Sequence, residues 1–113
     1  MHELSVCQAL LHQVTQIAQG RGASVVQSIT VELGPLCGIE PMLLATAFGI
    51  MRAGSCAAQA DLLIEETTVT VACAGCGAQS QTAPNRLTCA ACGGFRTRIV
   101  AGDELRLRRV TLS

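Results

Sequence analysis

The sequence predicts an α+β fold: two helices on a three-stranded β-sheet with an inserted zinc-ribbon subdomain. Three observations predict it. Apolar residues recur first at helical and then at strand spacing, in the order α-β-α-β. Two Cys-x-x-Cys pairs, Cys73/Cys76 and Cys89/Cys92, follow with twelve residues between them. Short apolar extended segments flank that polar stretch and can pair antiparallel to hold it out from the rest. The expected boundaries are residues 1–68 plus 98–113 for the α/β domain and 69–97 for the insert.

The first helix is expected over Glu3 to Gln19. Leu4, Cys7, Leu11, Val14 and Ala18 recur every three or four residues and share one face. Gly20 and Gly22 supply its stop. From Val25 to Leu33 the pattern changes to alternation, Ile29, Val31 and Leu33 against Thr30 and Glu32, the mark of a half-buried strand that Gly34-Pro35 ends. Glu40-Pro41 opens a second helix, with proline at a tolerated first-turn position, running to about Ala53 before Gly54. Leu44, Ala47, Phe48 and Met51 form one face, yet Met42, Leu43 and Ile50 make the helix apolar nearly all round. Such a helix is buried on several sides or faces a partner; burial is the preferred reading. Ala60 to Glu65 reads as a second strand, and Val69 and Val71 continue extended into the first cysteine pair. Residues 73–94 are polar, with Leu87 as their one large aliphatic residue. Arg98 to Val100 and Glu104 to Leu112 read as strands. In the last of them the alternation slips phase at Arg108-Arg109, which suggests a bulge.

Composition narrows the function classes. The chain has 113 residues, no net charge, and aromatics at only 2% with neither Trp nor Tyr. A neutral chain has no global field to hold a polyanion, and base stacking needs aromatic faces, so nucleic acid is not the expected partner. Five of the eight arginines lie between Arg96 and Arg109, which raises that reading, but a solvated strand face accounts for them more simply. No apolar run is long enough to span a bilayer, so no membrane role is expected. The opening residues carry neither a basic region nor an apolar stretch, so no signal peptide is read and a cytoplasmic location is expected.

Seven cysteines in such a chain point to metal ligands before disulfides. Two residues between thiolates let both sulfurs of one turn face one ion, and two such turns give a tetrahedron. Gly77, Gly93 and Gly94 follow the pairs, where such turns need positive φ. Four soft ligands leave no open position, so a zinc ion held by Cys73, Cys76, Cys89 and Cys92 is structural. A redox dithiol and an iron site are the competing readings. The insert has almost no core of its own, and metal binding is expected to supply its folding.

The opening Met1-His2-Glu3 is also suggestive. An amine, a backbone amide and an imidazole in succession can chelate one ion in a plane, a set that suits Ni(II) or Cu(II). On the residues alone, the simpler reading is preferred: His2 and Glu3 begin a helix, with Glu3 favouring its positive end. His12 is expected at the surface without a role.

Taken together, Met1-His2-Glu3-Leu4-Ser, the Ala47-Phe48 helix, Ala60-Asp-Leu-Leu-Ile-Glu65, the two cysteine pairs and Gly102-Asp-Glu-Leu105 come in one order. The chain resembles the HypA/HybF family of nickel-insertion proteins for hydrogenase maturation over essentially its whole length. The resemblance implies His2 as principal nickel ligand with Met1 and Glu3 assisting, and the family's zinc cysteines at Cys73, Cys76, Cys89 and Cys92. It implies a nickel metallochaperone, not an enzyme, carrying Ni(II) as cargo and Zn(II) as a structural ion. It further implies delivery of nickel to the [NiFe]-hydrogenase large-subunit precursor alongside a HypB-type GTPase, and some family members also serve urease. A monomer or weak homodimer is expected. The alternative class is a zinc-ribbon module for nucleic acid or protein interaction.

Overall fold

A computed structural model describes the backbone of residues 2–113 and the side chains of residues 3–113. Its elements are α1 (His2–Gly20), β1 (Val26–Leu33), α2 (Pro41–Met51), β2 (Asp61–Glu66), β3 (Val69–Cys73), β4 (Gln79–Thr82), β5 (Thr97–Ala101) and β6 (Leu105–Leu112). They fall into two compact units, one of Met1–Glu32, Ile39–Glu65 and Arg106–Ser113, the other of Leu33–Gly38 and Glu66–Leu105.

The first unit is the expected pair of helices with a three-stranded sheet, in the order β2-β1-β6. Cys7, Leu10, Val14 and Ala18 form the buried stripe of α1, and Leu4 is 38% exposed, so the stripe is turned toward Leu10 relative to the expected one. The helix ends in paired bonds around Gly22, whose φ is +68: Gly22 N–H donates to Gln19 O and Ala23 N–H to Ala18 O. This cap satisfies two carbonyls that the helix leaves open and requires the left-handed residue that glycine supplies. Ile29, Val31 and Leu33 of β1 are buried as expected, but Thr30, expected on the open face, is buried as well, so the middle of this central strand is covered on both faces. At the far edge, Ser113 N–H donates to Val25 O, and β6 lies along β1.

Glu40 begins α2 from an extended conformation, its carboxylate accepting from Leu43 N–H at 3.1 Å. That satisfies one of the orphan donors of the first turn, and Pro41 follows where no N–H is needed. Leu44, Ala47 and Phe48 are buried. The preferred reading of α2 as buried on several sides fails, because Met42 is 76%, Leu43 53% and Ile50 68% exposed. The eleven-residue helix packs against α1, hides the face of Leu44, Ala47 and Phe48, and leaves the opposite face to solvent.

The second unit holds another three-stranded sheet, in the order β4-β3-β5. The two segments flanking the polar stretch do pair antiparallel: Val71 opposes Ile99 and Cys73 opposes Thr97. A register shift at Thr70/Val71 interrupts this pairing. Val69 and Val71 are fully buried. The strand β4, Gln-Ser-Gln-Thr, pairs with β3 from Val69↔Thr82 to Ala72↔Gln79 and was not legible, since four polar residues carry no alternation. In β6 the burial pattern changes phase at Arg108-Arg109, as the sequence pattern does.

One close approach shapes this unit. Gly34 N–H donates to Glu104 O at 3.0 Å and Leu36 N–H to Gly102 O at 2.8 Å. A β-carbon on Gly34 would lie 2.4 Å from Gly102 C, and one on Gly102, at φ +107, 2.8 Å from Val69 Cα. Both positions therefore exclude any side chain.

Candidate metal centre

The four cysteines of the insert come from two turns built alike. In the first, Cys73 ends β3; its carbonyl accepts from Gly77 N–H at 2.9 Å and its N–H donates to Ala78 O at 2.9 Å. In the second, Cys89 O accepts from Gly93 N–H and Cys89 N–H donates to Gly94 O, both at 2.8 Å. Gly77 and Gly93 have φ of +76 and +75, the conformation that closes each turn and that a side chain would oppose. The positive φ expected after the pairs is found at Gly77 and Gly93 but not at Gly94, whose carbonyl instead accepts from Cys89 N–H.

The turns bring the four sulfurs within 4.8 Å of one another. Cys73 and Cys92 are 3.6 Å apart and Cys76 and Cys89 3.5 Å. These distances are far beyond a disulfide bond of about 2.05 Å. They lie close to the edge of about 3.8 Å that a tetrahedron with metal–sulfur bonds of about 2.3 Å has. Cys73 and Cys89 are buried, and Cys76 and Cys92 face outward. The donor set, number and spacing fit a closed tetrahedral metal.

Electrostatics sort the thiols. Cys92 N–H points at the Cys89 sulfur from 3.5 Å and, with the Ala91 N–H, holds that thiol down to about 6. The N–H groups of Cys76 and Gly75 lower Cys73 in the same way. Cys76 goes the other way, up to about 11: the Ala78 N–H pulls it down, but the sulfurs of Cys89 and Cys92 and burial outweigh that pull. Backbone N–H groups thus favour the thiolate at Cys73 and Cys89, and hydrogen bonding to the neighbouring sulfurs favours the thiol at Cys76.

Two hydroxyls fasten this loop, and sequence reasoning missed both. Ser80 Oγ of β4 accepts from Ala90 N–H inside the second turn at 3.1 Å, and Thr97 Oγ1 of β5 donates to Leu87 O at 2.6 Å. An isolated Ser or Thr carries no pattern that marks such a bond in advance.

Of the expected nickel ligands, Met1 and the imidazole of His2 lie outside the described residues. Glu3 stands half-buried in the first turn of α1. His12 is exposed mid-helix, as expected. No further group of three or more His, Cys, Asp or Glu side chains gathers as a metal site among the described residues. Cys7 is buried in the core, and burial pushes its thiol up, which keeps it protonated and inert. Cys56 Sγ lies 3.7 Å from Thr15 Oγ1.

A family model described as hydrogenase/urease nickel incorporation, metallochaperone, hypA, matches residues 1–112. The chain belongs to the HypA family. A hydrogenase maturation factor HypA of Nitrosospira multiformis is 44% identical over 112 residues, covering 99% of this chain and 97% of that protein. Its counterpart in Aquifex aeolicus is 33% identical over 112 residues, with 99% and 97% covered. The fold agrees with a solution structure of HypA protein at a TM-score of 0.78 and 26% identity, covering 100% of this chain and 97% of that one. The solution structure of the nickel metallochaperone HypA from Helicobacter pylori matches at a TM-score of 0.74 and 24% identity, with 97% and 96% covered. Membership of this family places the chain among nickel-incorporation metallochaperones and hydrogenase maturation factors. Among the described residues no helix is long and apolar enough to cross a membrane.

Proposed function

We propose that the chain binds Ni(II) at its amino terminus and delivers it to the large-subunit precursor of a [NiFe]-hydrogenase. The observation that carries this reading is the family match along residues 1–112, which takes in the opening Met1-His2-Glu3 and all four insert cysteines. His2 is the principal nickel ligand; the Met1 amine and the Glu3 carboxylate assist. A site at a chain end suits transfer, because an acceptor's ligands can replace the donor's one at a time. The chain acts in the cytoplasm as a carrier and not as an enzyme, with a HypB-type GTPase as partner and urease maturation as a second destination.

Cys73, Cys76, Cys89 and Cys92 hold a zinc ion whose work is structural. It supplies the folding energy that the small apolar interior of the insert lacks, about 10–16 kcal/mol in small zinc peptides. The arrangement leaves no position for substrate, which argues against hydrolytic chemistry at the cluster.

The test is metal analysis of native-terminus protein after nickel titration and gel filtration. One zinc per chain before titration and one added nickel after it support the reading. Nickel uptake that needs a free zinc site, or none at all, overturns it. Salt-dependent binding of DNA with no nickel uptake would favour an interaction module instead.

A further inference from the structure

We propose that the free edge of β6, with the groove between it and α1, is a docking site for an extended acidic segment of a partner protein. The inference rests on the first unit's fold and stands without the nickel reading. In the sheet β2-β1-β6, β6 is hydrogen-bonded on one side only. An edge strand presents a row of unpaired N–H and C=O groups, a template for an added strand. Beside it lies a groove of about 360 Å³ lined by Ile17 and Arg21 of α1 and by Leu107, Val110 and Leu112 of β6. None of these three β6 side chains is fully buried, so apolar surface remains along the groove. The eight residues of β6 give an edge about 26 Å long at about 3.3 Å per residue.

Charge selects the occupant. Arg108 is taken up within the sheet, its guanidinium bonded to Glu65 and lying 3.6 Å from Glu32. Among the described residues it is the one arginine in an ion pair with a carboxylate. Among the described residues, Arg21 and Arg109, which also line the groove, and Arg106 on the same strand form no ion pair with a carboxylate. Natural edge strands carry such charges to repel unwanted pairing, and the same charges admit a strand of opposite sign. A segment that alternates apolar and acidic residues meets both demands: apolar side chains cover Ile17, Leu107 and Val110, and carboxylates meet the arginines. The groove offers no aromatic face on which a base could stack, so it favours peptide over single-stranded nucleic acid. The chain's own β2, Asp-Leu-Leu-Ile-Glu-Glu, has a similar pattern. Pairing β2 of one copy with β6 of the next would not close, however, and would build a filament; Glu65 is also already held by Arg108.

The test uses the full metal-loaded chain and a fluorescein-labelled peptide of four alternating Val-Glu pairs, blocked at both ends, with the Val-Lys peptide as control. Saturable anisotropy with the acidic peptide alone is expected, weakening as salt rises. The double variant Arg21→Glu/Arg109→Glu should bind about tenfold more weakly at unchanged zinc content and far-ultraviolet circular dichroism. Hydrogen exchange with peptide bound should show new protection of amides within Leu105–Leu112. Absence of peptide binding, binding undiminished in the double variant, or binding without that protection overturns the proposal. So does a twelve-nucleotide thymidine strand that binds where the peptide does not, or a dimer in sedimentation that the peptide dissolves; these name nucleic acid and a second copy as the occupant.

Discussion

At the scale of single residues, glycine does more here than end helices. Gly34 and Gly102 meet backbone to backbone, with no room for a β-carbon on either, and Gly102 also holds φ at +107. Gly102→Ala should therefore cost about 2–3 kcal/mol, since strain at positive φ and a backbone clash add. Gly49 provides the contrast: it lies within α2 with open space around it, and Gly49→Ala should stabilise the helix by about 0.5–1 kcal/mol. Chemical denaturation of both variants checks the pair; equal effects would show that the close approach is not rigid. In the sequence, Gly34 could be read as a strand breaker and no more, because its partner lies far along the chain. The same limit does not apply to His2, where the chemistry is local. His2→Ala should abolish tight nickel binding, read by calorimetry, and leave zinc content and the unfolding midpoint near those of the unmodified chain. A chain-end side chain contributes little packing, so a large loss of stability with nickel affinity intact would show that His2 serves the helix instead.

At the scale of elements, what was legible followed from local pattern, and what was missed needed a neighbour. The ends of α1 and α2 were written in Gly22 and in Glu40-Pro41, residues that act on the backbone within four positions of themselves. Which face of α2 is covered depends on what packs against it, so a helix apolar nearly all round looked buried while Met42, Leu43 and Ile50 stay in solvent. The polar β4 exists because β3 offers it a ladder and because Ser80 reaches across to Ala90. The cysteine turns sit at the legible extreme, since spacing, glycine placement and ligand chemistry all act over a few residues. Cys76→Ala leaves three sulfurs, and the loss falls on the two cysteine turns; the β3–β4 ladder ties only residues 79–82 of this segment, and Ser80 and Thr97 each add one bond to the second turn and its approach. Amides of residues 73–94 should lose hydrogen-exchange protection in this variant, as they should in the unmodified chain stripped by a chelator. Protection that survives both treatments would refute a structural metal.

For the molecule as a whole, the α/β part was legible as a sheet with two helices, whereas the insert proved to be a second three-stranded sheet and not bare turns on a two-stranded neck. The proposed nickel and zinc sites differ in their ligands, and pH should separate them. Metal binds only deprotonated ligands, so acid competes with each site according to what its ligands are. The proposed nickel set draws on a terminal amine and an imidazole, whose ordinary values lie near ~8 and ~6.5. Falling pH therefore weakens nickel steadily from about 8 downward, while rising pH strengthens it. The proposed zinc site opposes acid with four sulfurs acting together: N–H groups aimed at Cys73 and Cys89 favour their thiolates, and although Cys76, at about 11, must give up a proton, a closed set of four soft ligands holds zinc more tightly than an open terminal set holds nickel. Zinc should consequently stay bound at pH 6, where most nickel has left. The measurement is equilibrium dialysis of doubly loaded protein between pH 8 and 5, with both metals counted and exchange protection of residues 73–94 followed in parallel. A tag ahead of Met1 sharpens it, because it turns the amine into an amide whose proton is far harder to displace. Nickel affinity should fall in the tagged chain and lose its dependence on pH near 8, with zinc unchanged. If tagged and native chains release nickel alike, the amine is not a ligand and the imidazole and Glu3 hold the ion without it. If the two metals leave together, nickel resides among the cysteines and the amino-terminal site is wrong.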